Sequence, residues 1–178
     1  MARKVVLSIT GDSRVLALML VPKSKGPHPA VLLLHDHGAK FDIGKEKVIE
    51  PWDEPAEKIA SARKWVSDCY GGRFIGDALA KRGYVCFAVD MLNWSDRGGA
   101  GYEGQQALAS NLFNLGASFA GLIAHEDIRA AEFLSGQPEV DPKHIAAMGL
   151  SGGFSYMAAC CAFREYRCRC ICLLDVDP

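Results

Sequence analysis

The stretch Gly149-Leu150-Ser151-Gly152-Gly153 decides the fold of this chain, because it fits the pattern G-x-S-x-G and lies between two apolar segments. A short, mostly apolar run precedes it at residues 144–148, and residues 154–163 after it have helical character. This context predicts a strand, a sharp turn and a helix, with the serine held in a strained backbone conformation that lifts its Oγ clear of the sheet. Glycines are expected on both sides, since a side chain there would collide with the strand and the helix.

Strand-like and helix-like segments alternate in the rest of the chain. Strands are predicted at residues 5–9, 15–21, 30–34, 84–89, 144–148 and 170–174. Helices are predicted at residues 72–82, 115–134 and 154–163. The first two strands form a hairpin around Gly11-Asp12-Ser13. The order predicts the α/β class, with a mostly parallel sheet and helices on both faces.

Two long connections interrupt this alternation, at about residues 40–70 and 91–114. Connections in such folds usually have about 2–6 residues, so both are interpreted as insertions, the first with a helix near residues 56–66. Both insertions are expected above the carboxyl ends of the strands, where ligands bind in such sheets. Their aromatic side chains would either stack on a sugar or aromatic ester or pack inside a lid; they are Trp52, Trp65, Trp94 and Tyr102.

Composition narrows the class of protein. A chain of 178 residues suits one domain with a substantial core. With 20 Lys and Arg against 21 Asp and Glu, the net charge of -1 gives no electrostatic footprint for nucleic acid or an anionic membrane. No apolar run approaches the ~20 residues that span a bilayer, and the N-terminus lacks a signal-peptide core. The expectation is a soluble, cytoplasmic protein.

Seven cysteines raise the question of a metal site. Cys168, Cys170 and Cys172 alternate, so on a strand they project from one face and cannot converge on one tetrahedral metal. No C-x-x-C pair accompanies them. The cysteines are interpreted as small buried hydrophobic residues, and neither a metal nor a cofactor is predicted.

The G-x-S-x-G turn and several other segments of the chain resemble those of the α/β-hydrolases, and more narrowly of the dienelactone-hydrolase-like and acetyl-xylan-esterase-like proteins. The resemblance is carried by His35-Asp36-His37-Gly38, Asp90 with Asp96-Arg97-Gly98, residues 127–134, residues 138–145 and the G-x-S-x-G turn. It covers the chain from about Val15 to Asp175. It implies one α/β-hydrolase core over residues 1–178 and does not specify a substrate.

The chemistry follows from the serine. A serine hydroxyl needs a base to take its proton and a carboxylate to hold that base. The oxyanion formed in acyl transfer needs two donors, and the backbone N–H of Gly152 is one candidate. The second is expected from the loop after the strand at residues 30–34, with the N–H of Ala39 preferred and that of His37 second.

The order along the chain departs from this fold's pattern, in which the acid and then the histidine follow the serine. No histidine follows Ser151; all five precede it, at His28, His35, His37, His125 and His144. Asp175 follows the last predicted strand and is either the acid or a carboxylate that caps a turn.

His35 and His37 would act as a base or metal ligand, or would orient their loop, and the second reading is preferred. Asp96 and Arg97 would bind a substrate carboxylate or, preferably, form an internal ion pair.

Two explanations for the missing base remain open. Either these residues are part of a longer hydrolase whose C-terminal strands and histidine lie elsewhere, or the chain has no hydrolytic chemistry. The first is preferred, because the last predicted strand would otherwise leave an open apolar edge. The functional hypothesis is a serine esterase that cleaves a small carboxylic ester through an acyl-enzyme on Ser151. The alternative is a catalytically silent relative that serves as a ligand-binding or assembly module. The expected partners are a small-molecule ester and either a second copy or the missing C-terminal segment.

Overall fold

A hairpin forms one edge of the sheet. In the computed structural model, which describes residues 1–153 and the backbone of residues 169–173, β1 (Ala2–Ser8) and β2 (Arg14–Leu20) pair antiparallel. The side chains of β1 alternate between exposed and half-buried, as expected for an edge strand with one covered face. β2 is buried along most of its length, because β4 (Val85–Val89) pairs antiparallel with its other side.

The remaining described strands run parallel to one another. β3 (His28–Leu34) lies between β4 and β5 (Val140–Leu150), and β6 (Arg169–Leu173) pairs with β5. The six described strands have the order β1-β2-β4-β3-β5-β6. The sheet is therefore mixed: three of these five pairings are parallel, and the two that involve β2 are antiparallel.

Helices cover both faces of the sheet, which confirms the predicted α/β class. On one face α4 (Phe119–Ser135) packs Ala130 and Leu134 against a core that includes Leu32 and Phe87. On the other face α2 (Ile75–Ala80) packs near Val31 and Leu33, in a core that also contains Ile49. Apolar residues thus alternate along β3 between two cores, which explains why its sequence is a continuous apolar run.

The two insertions contain more helix than the sequence suggested. The first holds a 3₁₀ turn (Lys45–Lys47) and α1 (Ala56–Cys69), close to the predicted helix at 56–66. The second holds a 3₁₀ turn (Ser95–Arg97) and α3 (Gly101–Asn114), a helix that the sequence did not predict. The sequence reads as a loop at the start of α3 because glycines are frequent there. Gly98, Gly99 and Gly101 all have positive φ and form the turn that leads into the helix.

The predicted helix at residues 115–134 was wrong at its start. Gly116, with φ +74°, separates α3 from α4, and Ser118 then caps α4 by accepting a hydrogen bond of 2.9 Å from the N–H of Gly121. Within the described residues, no single helix is long and apolar enough to cross a membrane, whereas α3 and α4 pass that test only as a pair bent by 92°.

Candidate active site

Ser151 lies on a strained turn at the carboxyl end of β5. Its φ is +53°, in the left-handed region that a residue with a side chain rarely adopts, and the residue is exposed. A Cβ on Gly149 would lie 2.6 Å from the carbonyl oxygen of Gly153, and one on Gly153 would lie 2.3 Å from the carbonyl oxygen of Leu34. The turn is thus as tight as the sequence predicted, and it presents the serine beyond the end of the sheet.

Gly152 lies against the backbone of the loop after β3. A Cβ on Gly152 would be 3.2 Å from the backbone nitrogen of His37. The N–H of Ala39 is engaged elsewhere, since it donates to Nδ1 of His37 over 3.1 Å. Among the described residues no partner accepts from the N–H of His37. The backbone nitrogen of His37 thus lies beside Gly152, whereas the N–H of Ala39 is bound to the ring of His37.

The ring of His37 is held by hydrogen bonds and aromatic packing. Nδ1 accepts from Ala39, so Nε2 carries the proton and donates to Oε1 of Gln105 over 2.9 Å. The ring packs edge-on against Trp94, with centroids 4.8 Å apart. Both nitrogens are occupied, and His37 therefore orients its loop, as the preferred reading expected.

His35 is fully buried beneath this loop. Nδ1 lies 2.9 Å from the carbonyl oxygen of Asp36 and must donate to it, while Nε2 accepts from the N–H of Met91 over 3.1 Å. Burial, followed by the nearby charge of Lys47, lowers the pKa of His35 from the usual 6.5 to about 4. This histidine is a neutral structural link between the ends of β3 and β4.

Lys47 lies directly behind the loop and is buried. Its Nζ donates to the carbonyl oxygens of Asp36, over 2.9 Å, and His37, over 3.0 Å, and lies 3.4 Å from Oδ1 of Asp36. Nζ also lies 5.2 Å from the ring centroid of Trp65. Burial lowers the pKa of Lys47, and the Asp36 carboxylate opposes this effect.

The carboxylate of Asp36 is bound by side chains at the C-terminal end of α1. Its Oδ2 accepts from the hydroxyl of Tyr70 over 2.8 Å and from Nε1 of Trp65 over 3.2 Å. Burial, and then the charge of Asp36, raise the pKa of the Tyr70 phenol, which keeps the hydroxyl as a donor. Asp36 thereby ties the loop after β3 to α1.

A cleft of about 380 Å³ opens beside Ser151. Its walls combine the loop after β3, the C-terminal half of α1 and the end of β5, and it is lined by Asp36, Gly38, Trp65, Asp68, Cys69, Leu150 and Ser151. Trp65 lines this cleft and is one of the four aromatic residues of the insertions that the sequence singled out. Trp94 is buried against Phe41, with centroids 4.7 Å apart, which fits packing inside a lid.

Three carboxylates, from the two insertions and the end of β4, surround a second buried lysine. Nζ of Lys45 lies 2.7 Å from Asp90, 2.7 Å from Asp96 and 2.8 Å from Glu46. These carboxylates are close enough together to suggest a metal site, but the ammonium group occupies the position between them. The cluster is an internal ion-pair network.

Asp96 and Arg97 are both in internal ion pairs, although not with each other. Arg97 binds Glu126 of α4 through two hydrogen bonds of 2.6 and 2.7 Å, and both side chains are nearly buried. Asp96 binds Lys45 and also Lys58, over 2.7 Å. The preferred reading, that these residues shape their loop, is confirmed with different partners.

Sequence reasoning missed the two buried lysines, because the segment Gly44-Lys45-Glu46-Lys47 was interpreted as polar insertion. The available signal was the apolar residues that flank it, Ile43, Val48 and Ile49, which are all buried. The candidate acid Asp175 and Cys168 lie outside the described residues.

No protein family model matches the chain. YtaP of Bacillus subtilis (strain 168), to which hydrolase function is ascribed, is 26% identical over 149 residues, which are 83% of this chain and 44% of YtaP. The chain thus spans less than half the length of this curated relative.

Solved structures share the fold at low sequence identity. A Bacteroides fragilis NCTC 9343 protein, to which acetyl xylan esterase function is ascribed, has a TM-score of 0.67 at 18% identity, over 89% of this chain and 41% of that one. Dienelactone hydrolase from Anabaena variabilis ATCC 29413 has a TM-score of 0.53 at 17% identity, over 94% of this chain and 61% of that one. Together with the strained serine turn at the end of β5, these matches show that the chain has the α/β-hydrolase fold, as acetyl-xylan-esterase-like and dienelactone-hydrolase-like proteins do.

Proposed function

We propose that Ser151 is the nucleophile of a serine esterase that cleaves a small carboxylic ester through an acyl-enzyme. The observation that carries the proposal is the backbone of Ser151, held at φ +53° on the turn after β5 and exposed at the cleft. Strain at a residue with a side chain persists where the surrounding structure imposes it, and such residues cluster at active sites.

The reaction requires a defined set of transfers. Oγ of Ser151 forms a bond to the ester carbonyl carbon and loses its proton to a base, and the carbonyl oxygen becomes an oxyanion. The bond to the leaving alcohol then breaks, and the base returns the proton to that oxygen. Water repeats the sequence to release the acid. Backbone N–H groups of Gly152 and His37 are the proposed oxyanion donors, because the two residues lie in contact beside Ser151.

The base is not supplied by the histidines nearest the site. His35 and His37 each use both ring nitrogens in hydrogen bonds within the described structure. The proposal therefore places the base outside the described residues. Asp175 is kept as the proposed acid that orients it.

The size of the cleft supports a small ester as the substrate. About 380 Å³ accommodates an acetyl-sized acyl group with part of its alcohol, at the lower end of the range for ligand pockets. The names of the structural relatives, an acetyl xylan esterase and a dienelactone hydrolase, describe hydrolysis of esters or lactones in those proteins. Trp65 in the cleft wall offers a face against which a sugar or aromatic alcohol would stack.

The first prediction tests the nucleophile directly. A fluorophosphonate is expected to form a covalent adduct at Ser151, detected by mass spectrometry of the full protein. Ser151→Ala should abolish the adduct and lower kcat for a chromogenic acetyl ester by about 10⁴-fold or more, since the covalent step is lost. The variant should keep its fold, because Ser151 is exposed.

Ser110→Ala is the matched control, since Ser110 lies on the exposed side of α3. It should leave labelling and turnover unchanged. A folded protein that forms no adduct at Ser151 would contradict the assignment.

A catalytically silent ligand-binding protein is the second candidate. It is favoured by one observation: the histidine rings closest to the turn, His35 and His37, are committed to the loop. Calorimetry would then detect binding of an ester or its acid to the full protein, with Ser151→Ala binding equally well and no turnover by either form.

A further inference from the structure

The peptide unit between Asp36 and His37 has its two polar groups on opposite sides. In a trans peptide the carbonyl oxygen and the N–H point in opposite directions. The carbonyl oxygen of Asp36 accepts two hydrogen bonds of 2.9 Å, from Nδ1 of His35 and from Nζ of Lys47. The nitrogen of His37, on the other side, lies 3.2 Å from the Cβ position of Gly152. The buried donors therefore aim the N–H of His37 toward the serine turn.

The ammonium group of Lys47 lies closer to backbone carbonyl oxygens than to the carboxylate of its ion pair. Its carbonyl acceptors lie at 2.9 and 3.0 Å, whereas the carboxylate Oδ1 of Asp36 is 3.4 Å away. An ammonium group has three donors, and these three oxygens account for them. A buried lysine with one distant carboxylate is costly, so a simple structural role would be met better by an apolar side chain of the same length.

A cation bound to the carbonyl oxygen of a peptide also makes the N–H of that peptide a stronger hydrogen-bond donor. Hydrogen bonds in a chain polarise one another, and those to a charged donor are about twice as strong as neutral ones. A positive charge bound to the carbonyl oxygen of Asp36 draws electron density from its peptide nitrogen. The N–H of His37 thus becomes a stronger donor for a negative oxygen beside Gly152.

We propose that Lys47 is a positioning residue, which orients and polarises the Asp36–His37 peptide so that its N–H serves as the second oxyanion donor. This inference rests on the proposed esterase function. Lys47 is not among the described residues that line the cleft, and it acts through the backbone. His35 supports the same carbonyl from a second direction.

The second prediction tests this role with Lys47→Met and Lys47→Gln in the full protein. Loss of one oxyanion donor lowers kcat by about 10²–10³-fold. Because the N–H of His37 remains present but misaligned in Lys47→Met, we expect kcat to fall about 10- to 100-fold while KM stays within about threefold. Lys47→Gln retains a neutral donor and should recover part of the loss. The amide resonance of His37 in ¹H–¹⁵N NMR spectra should shift in the same order.

Tyr70→Phe is the matched control, because it removes a hydrogen bond to the side chain of Asp36 and leaves the carbonyl bonds intact. It should keep kcat within about threefold and the His37 resonance in place. A kcat in folded Lys47→Met within threefold of the wild type would overturn the inference, as would an unmoved His37 resonance. If the wild-type protein neither turns over esters nor labels at Ser151, the proposed function fails, and the NMR measurement still decides whether Lys47 orients this peptide.

Discussion

The two histidines near Ser151 differ in the hydrogen bonds that their rings make. His35 and His37 are two positions apart in the sequence, yet one ring is buried between strand ends and the other lies among aromatic side chains. Each ring has one donor and one acceptor assigned by its partners, Nδ1–H in His35 and Nε2–H in His37. The loop thus depends on neutral imidazoles, because a protonated ring would have no acceptor nitrogen for Met91 or Ala39.

The third prediction concerns acid stability. The pKa of His35 is lowered to about 4 in the folded protein, so the unfolded chain binds more protons between pH 6.5 and pH 4. Stability from this group is therefore fully present above pH 6.5 and is lost as the pH falls toward 4. Between pH 8 and pH 5 the wild type should lose about 2 kcal/mol more unfolding free energy than His35→Gln.

Urea unfolding of both proteins at the two pH values gives this difference, and other titrating groups largely cancel in the comparison. An independent check is ¹⁵N NMR of the imidazole, in which His35 should remain the neutral Nδ1–H tautomer at pH 5. A protonated His35 ring at pH 5 would contradict the prediction.

At the scale of elements, the serine turn depends on the close approach of β5, the turn and β3. The Cβ position of Gly153 lies 2.3 Å from the carbonyl oxygen of Leu34 and 3.0 Å from that of His35. These are backbone atoms of β3 and its loop, which cannot move aside as a flexible side chain would. Glycine at 153 is therefore what allows the turn to lie across the end of β3.

The fourth prediction follows from this contact. Gly153→Ala should lower the unfolding free energy by about 3 kcal/mol, because β3 or the turn must shift to admit a methyl group. It should also reduce labelling of Ser151, since the displaced turn carries the proposed nucleophile. Gly11→Ala is the control: nothing lies within 4 Å of its Cβ position, and its stability should stay within about 0.5 kcal/mol of the wild type. Equal stabilities for the two variants would show that the turn relaxes without cost.

At the scale of the whole molecule, buried charges join the two insertions to the sheet. Lys45 connects its own insertion with Asp90 at the end of β4 and with Asp96 in the second insertion. Arg97 then connects the second insertion with Glu126 of α4. These pairs hold the segments above the sheet in a defined arrangement, and the aromatic packing of Trp94 fills the space between them.

The fifth prediction is that removal of the buried cation of this network destabilises the protein more than removal of its partly exposed cation. Lys45→Met leaves Glu46 and Asp90 buried without their cation, and should cost about 3–5 kcal/mol of unfolding free energy. Burial already raises the pKa of Asp90 to about 7, and removal of Lys45 should raise this pKa further.

Lys58→Met removes a partly exposed cation from the same network and should cost only about 1 kcal/mol. Urea unfolding at pH 7 measures both losses. Similar small losses in the two variants would mean that the buried carboxylates take up protons at little cost.

The sequence by itself determined the class of fold and the strained turn at Ser151. Apolar runs and the G-x-S-x-G turn are local patterns, and local backbone preferences act over a few residues. For that reason the sequence alone predicts the strands at residues 30–34 and 84–89, the helix near 56–66 and the strained Ser151, without any tertiary contact.

Only the tertiary structure decided how the loop after β3 is built. The approach of Gly152 to the backbone of His37, the burial of Lys45 and Lys47 and the hydrogen bond from Met91 to His35 depend on groups more than ten residues away in the chain. A lysine is ordinarily a surface residue, and burial is favourable only where oxygens from separate elements meet around its ammonium group. Such a meeting is a property of the folded chain: the apolar residues beside Lys45 and Lys47 indicate a buried segment, but they do not specify which oxygens surround the two ammonium groups.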